Sequence, residues 1–388
     1  MWAYWRLWVI PGPKRGRRIG AETTVGHSII KKRLLLTCLG LVLICLCATS
    51  GLIVNLIATA AGDDLSNHAA SVNENLPGDV SVEQPGNPGE IDWSQAWTLS
   101  QSNSNVIVAI IDTGIDSDHE DLAGRVIDEV NLNDSPVVDD LNGHGTHIAG
   151  IIAADADNGI GTAGVAPRSM LLNVKATDDR GRCDAKAIAN GIVWAVDKGA
   201  SIVNISLRLD EPSSELEEAV AYAWSKGALI VAAAGNDGGS TPQYPAYYPE
   251  CIAVTATKED GSRAPLASYG DWVDIAALGY QVYSTLPDNE YGYKTGTSQA
   301  TAHVTGLAAL LYSMAIDIDG NGWVNDEVRA AIETSCLQAV GSGMGNGLVR
   351  PVEAVAALQY ESSMFQQDVH LEESNAYFLS VQIDGYAD

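Results

Sequence analysis

Four short runs of almost continuous apolar residues constrain this chain more than any other feature. They are NVIVAIID (105–112), MLLNVKA (170–176), ASIVNISL (200–207) and ALIVAAAG (228–235). Each is strand-length and lacks polar alternation, which is the pattern of a strand covered on both faces. Between them GTHIAGIIAA (145–154), AKAIANGIVWAVDKG (185–199) and SELEEAVAYAWSKG (214–227) carry helical spacing, and Gly227 is placed to end the last. Strands buried on both sides and alternating with helices call for a parallel sheet with right-handed crossovers. The expected fold is therefore α/β: a three-layer, doubly wound, mostly parallel sheet occupying residues 92–360.

What precedes that body differs in texture. Residues 1–33 hold eight Lys/Arg against the single acid Glu22, although the whole chain has a net charge of −27. Residues 34–61 contain no charged side chain and suffice in length to span a bilayer. Basic residues before this segment place the N-terminus in the cytoplasm and the acidic body outside it. The segment reads as a signal peptide, with Ala58-Thr59-Ala60 as a cleavage site, or as an uncleaved anchor. A buried core helix is the plainer alternative, disfavoured by the charge switch across it. Residues 62–91 are acidic and Pro/Gly-punctuated, an expected linker or minimal propeptide, and 361–388 read as a polar acidic tail. So acidic a body excludes nucleic acid as a partner, because phosphate contacts need clustered Lys/Arg. Cys183, Cys251 and Cys336 show no CxxC or metal spacing, so no disulfide framework is expected from them.

Chemistry in a doubly wound sheet gathers at the carboxyl ends of its strands. Asp112 ends the first apolar run, His144 and His147 open a helical stretch in DDLNGHGTHIAG, and Asn236 follows a strand in AAAGNDG. Ser298 stands at the start of a helix in TGTSQATAHVTG, where it is either an N-cap or a nucleophile. Singly these are ordinary: a strand-capping carboxylate, a histidine pair one ligand short of a metal site, a turn asparagine. Their order along the chain, Asp then His then Ser, is that of subtilisin. DTGID, GHGTHIAG, AAGN and GTSQAT resemble the four blocks of the subtilases, the subtilisin-like serine peptidases, over a region from about Asn105 to about Leu358.

The resemblance implies a role for each residue. Ser298 attacks a scissile carbonyl, His144 moves its proton, and Asp112 orients and stabilises the imidazolium. Asn236 donates to the oxyanion beside the backbone N–H of Ser298. Extended peptide would lie along Ser206-Leu207 and Gly181-Arg182-Cys183, with Ala233-Ala234-Gly235 as a wall of the primary pocket. Arg208 and Gln243 stand near that pocket where the family commonly has smaller or different groups, and Cys183 on a substrate edge suggests sensitivity to thiol reagents. His119 and His303 resemble family positions and read as structural. Calcium is the implied cofactor, with no organic one: Asp121 and Asn158 would join carbonyls of Ala156, Ile160 and Thr162. A second candidate, DIDGNGWVNDEV (317–328), puts Asp317, Asp319 and Asn321 at EF-hand spacing. Its twelfth position is Val328, so the bidentate ligand is missing unless Glu327 shifts in.

Together these features lead to the expectation of a serine endopeptidase, secreted or membrane-anchored, with the catalytic domain outside the cytoplasm. Its partners would be protein or peptide substrates, and the membrane through 34–61 if that segment is uncleaved; a monomer is favoured. About thirty residues separate the apolar segment from the body, too few for the folded pro-domain that the resemblance implies. That shortage favours an alternative, a catalytically silent subtilase-fold protein binding peptides or calcium. A third reading, an esterase of small acyl groups, keeps the triad without the peptide edges.

Overall fold

A computed structural model describes residues 93–100, 106–339 and 341–365. The apolar segment 34–61, its basic neighbour and the acidic linker lie outside the described residues. Among the described residues no helix is long and apolar enough to cross a membrane.

Helix α1 (Trp93–Ser100) precedes strand β1 (Ile107–Asp112), an interior strand, third in order, of a seven-stranded sheet. The other strands are β2 (Val126–Asn131), β3 (Met170–Lys175), β4 (Ile202–Ile205), β5 (Leu229–Ala233), β6 (Cys251–Thr257) and β7 (Ile275–Leu278). Their order is β2-β3-β1-β4-β5-β6-β7, and every neighbouring pair is parallel. Helices α2 (His144–Ala153), α3 (Ala185–Asp197), α4 (Ser214–Ser225) and α5 (Thr297–Tyr312) cover the faces. An antiparallel hairpin, β8 (Val282–Leu286) and β9 (Glu290–Lys294), stands beside the sheet. Helix α6 (Asn325–Thr334) follows α5, and a last helix, α7, spans 351–365.

Side chains alternate across the pleat, so each strand feeds two cores. In β1, Val108 and Ile110 join the core under α2 and α5, whereas Ala109 and Ile111 join the one under α3 and α4. That division is why the apolar runs show no polar alternation. Helix starts follow side-chain chemistry: Asp184 accepts from Ala187 N at 2.8 Å to cap α3, and Ser213 accepts from Leu216 N to cap α4. Each such cap contributes about 1 kcal/mol. Gly227, in the left-handed region at φ 77°, ends α4 as its sequence position foretold.

Strand β2 is half-exposed at the sheet edge, and β6, buried throughout, is the one central strand that the apolar runs above did not include. Helix α7 continues to residue 365, past the expected start of the acidic tail at 361. Cys183, Cys251 and Cys336 are all free thiols.

Candidate active site

The strand order reverses around β1: chain leaving it reaches β3 on one side, and β4 lies on the other. The crevice at such a switch point, outside the carboxyl ends, is where this architecture binds ligands. Asp112 is the last residue of β1 and is fully buried. Its Oδ1 accepts from Thr113 N and from His144 Nδ1, each at 2.7 Å, while Oδ2 is buried without a hydrogen-bond partner. With Nδ1 donating to the carboxylate, Nε2 is left as the acceptor end of the imidazole. Burial alone would lower the His144 pKa, but the adjacent Asp112 charge and hydrogen bond outweigh it, and the net shift is upward.

His144 is held there by a residue that motif reading passed over. Asp140 Oδ1 accepts from Thr113 Oγ1, Asn142 N and Gly143 N, and Oδ2 accepts from both Thr146 N and Thr146 Oγ1, all within 2.7–3.0 Å. Thr113 Oγ1 in turn accepts from Gly145 N at 2.9 Å. This carboxylate bolts the first turn of α2 to the end of β1. Gly145 lets the two approach, since a methyl group there would collide with the Gly114 carbonyl. The signal was present in DDLNGHGTH as an acid just ahead of a helix start.

Ser298 is the second residue of α5 and nearly buried. Gly296, not Ser298, is the N-cap, so the hydroxyl has no capping duty. It donates to the Ser206 carbonyl at 3.4 Å, a long and weak bond. Asn236 follows β5, and its Oδ1 accepts from Thr297 N at 2.8 Å, which fixes the amide with its NH2 end as the available donor. Gly235 N donates to Thr297 Oγ1 at 3.1 Å and ties the same strand end to α5.

A cleft of about 440 Å³ brings His144, Ser298 and Asn236 together with Gly181, Cys183, Ser206, Leu207, Ala233 and Gly235. Arg182 and Ala234 are not on its lining. Extended backbone alternates its faces, so Ala234 turns into the core while its neighbours face the cleft, and Arg182 reaches solvent to pair with Asp178. Arg208 does line the cleft, bonded by Nη1 to Asp237 Oδ2 at 3.1 Å and to Gln243 Oε1 at 3.3 Å. Burial, then the nearby Asp112, pushes the Cys183 thiol up to about 11, which disfavours the reactive thiolate at neutral pH.

Among the described residues the other histidines, His119, His147 and His303, each bond to backbone. His147 Nε2 meets the Gly292 carbonyl at 3.1 Å, one turn from His144, whose Nδ1 is bonded to Asp112. Burial lowers its pKa to about 4, and does the same for His303 at the Leu278 carbonyl. His119 Nδ1 accepts from Asp121 N.

Two places gather oxygen donors. Asp121, fully buried, accepts from Asn158 Nδ2 at 2.7 Å and Thr162 N at 3.0 Å, and Asn158 Oδ1 accepts from Ile160 N. Ala156 and Ile160 lie in the same loop. At the second, the carboxylates that converge are Asp317, Asp319 and Glu327, with oxygens all within 4.8 Å of one another. The Asn321 amide bonds to Asp326 through its Nδ2 and to Trp323 N through its Oδ1.

Residues 103–354 match the subtilase family model. Thermitase from Thermoactinomyces vulgaris is 42% identical over 276 residues, 70% of this chain and 95% of that protein. Subtilisin BL from Lederbergia lenta is 41% identical over 249 residues, covering 64% of this chain and 90% of that protein. Among solved structures, proteases from Pseudoalteromonas arctica PAMC 21717 superpose with a TM-score of 0.60 at 28% identity, over 70% of this chain and 94% of theirs. Fold and relatives define a serine-type endopeptidase. The chain belongs to the subtilase family.

Proposed function

We propose that the chain cleaves peptide bonds outside the cytoplasm through an acyl-enzyme formed on Ser298. His144 Nε2 takes the hydroxyl proton as Oγ attacks the carbonyl carbon, then delivers that proton to the leaving amine as the C–N bond breaks. Asp112 holds the tautomer and stabilises the imidazolium. The oxyanion lies between the Asn236 side-chain amide and the Ser298 backbone N–H at the start of α5. Water then attacks the ester with the same histidine as base. The observation that carries this reading is the 2.7 Å Asp112–His144 bond opening onto a cleft shared with Ser298 and Asn236.

Substrate backbone pairs with the Ser206-Leu207 and Gly181–Cys183 edges, and the side chain before the scissile bond enters beside Ala233 and Gly235, facing Arg208. Calcium, when bound at the 156–162 loop, supplies a hard cation for the buried Asp121 carboxylate, the Asn158 side-chain oxygen and the carbonyls of Ala156, Ile160 and Thr162. Asn158 would give up its bond to Ile160 N to serve there.

Phenylmethylsulfonyl fluoride labelling followed by intact mass is the test. One adduct per chain is expected, absent from Ser298→Ala. No adduct on a folded chain sinks the nucleophile assignment. Because the His144 pKa is raised and only the neutral ring accepts a proton, kcat/KM should climb with pH through an ionisation above the ordinary 6.5.

A further inference from the structure

The loop joining the C-terminal end of α5 to α6 carries a feature that catalysis does not use. Asp317, Asp319 and Glu327 bring carboxylate oxygens within 4.8 Å of one another in a chain whose net charge is −27. Among the described residues, no Lys or Arg pairs with any of them. Arg329, the cation nearest in sequence, is spent on Asp274 and Glu333. Backbone donors serve Asp317, which accepts from Gly320 N, Asn321 N and Gly322 N. Asp319 likewise accepts from Asn321 N at 2.9 Å, so both aspartates serve as turn-formers and Glu327 is the carboxylate left to explain.

Glu327 is only 8% exposed. Its Oε1 accepts from Ile318 N at 2.8 Å, but its Oε2 and Oδ1 of the adjacent Asp326 are buried with no donor other than the facing carboxyl group of the pair. A buried carboxylate oxygen without a donor is costly, and two of them side by side more so. Protein folds tolerate that arrangement where a cation completes it.

We infer that residues 317–327 form a calcium site in which Glu327 supplies the acidic ligand that the loop's twelfth position lacks, alongside Asp317 and Asp319. Three carboxylates and no nitrogen or sulfur donor select a hard cation. Gly320 and Gly322, both at positive φ, make a loop that adapts to a large ion more readily than to the strict octahedron of magnesium. The loop is also anchored. Trp323 lies against Gly227, Asn325 Nδ2 donates to the Trp224 carbonyl, and Tyr312 at the end of α5 donates to the Gly227 carbonyl. Bound calcium would therefore clamp the far end of α5, the helix that carries Ser298 in its first turn, onto the α4–β5 corner. None of this depends on the peptidase assignment.

Trp323, inside the loop, is a local antenna for terbium, a hard cation of similar size. Full-length chain carrying Ser298→Ala is titrated with Tb³⁺ while the indole is excited, and Ca²⁺ is then used to compete. Saturable luminescence displaced by calcium, with a calcium Kd tighter than about 1 mM, is expected. Asp317→Asn and Glu327→Gln should each weaken binding at least ~10-fold, since affinity follows ligand charge. Trp323→Phe should lose most of the luminescence while calcium affinity by calorimetry is kept. Asp121→Asn, at the other loop, should leave the luminescence in place. Luminescence that survives Asp317→Asn and Glu327→Gln but disappears with Asp121→Asn overturns the proposal, as does no binding up to 1 mM by a chain with an intact thermal transition.

Discussion

Two acid-rich places in this molecule are built on opposite plans. Around Asp140 five donors converge on one buried carboxylate, three of them backbone N–H groups at the opening of α2. Around Glu327 several carboxylates converge on each other, and two of their oxygens find no donor but a neighbouring carboxyl group. An acid saturated by N–H and O–H groups is a structural bolt and needs nothing further. An acid starved of donors is unfinished, and what completes it comes from solution. Counting acids in the sequence does not separate the two cases; counting donors does.

The sharpest way to break the comparison is Asp140→Ala. Removing the bolt strands five donors, so a loss of about 4 kcal/mol is expected, read from urea midpoints in a Ser298→Ala background. In the active chain kcat/KM should fall by about 10²-fold as His144 loses its fixed position. An effect below about 1 kcal/mol would show that the donors find other partners.

Histidine 147 extends the contrast to a group that is starved while neutral. Its Nδ1 is buried without a partner, and both it and His303 resist protonation down to about 4. The unfolded chain takes up these protons near the ordinary value of about 6.5. Stability must therefore fall as pH drops from about 6.5 to about 4, by roughly 3 kcal/mol per histidine. Urea midpoints across that range should show a shallower slope for His147→Gln than for the parent chain; identical slopes would refute the assignment.

Glu327→Gln is the smallest and most telling. With a chelator present it should change stability by less than about 1 kcal/mol, in the stabilising direction, because like charges are relieved. With calcium at a hundredfold excess over the parent's Kd the parent should gain about 2.7 kcal/mol at this loop, and the variant, bound at least ~10-fold more weakly, no more than about 1.4 kcal/mol. A large loss in the chelator would mean that Glu327 is another bolt.

Much of this was legible beforehand because it depends on local pattern. Apolar runs without polar alternation announced β1, β3, β4 and β5, and Gly227 marked the end of α4. Asp112, His144, Asn236 and Ser298 were legible because each sits at a strand end or helix start with a distinctive neighbourhood. What escaped depends on facing. Ala234 and Arg182 were grouped with their neighbours, yet the pleat turns alternate residues away. Asp140 was invisible as chemistry because its partners, Thr113 among them, arrive from a different element. Glu327 was legible only as a ligand that would have to shift in by one position, and the three-dimensional turn shows its side chain closing onto Ile318.

Trp323 covers Gly227 just before β5 begins, whereas Asn236 stands just beyond where β5 ends. The metal loop and the cleft therefore sit at opposite ends of one strand. An enzyme that cuts extended chain is a hazard to its own exposed loops, and the loop most at risk is the one that opens most often. Closing residues 317–327 at the end away from the cleft would leave the rate of each cleavage alone and lengthen the time over which a molecule survives its siblings. Ambient calcium would then set how long the enzyme lasts rather than how fast it works.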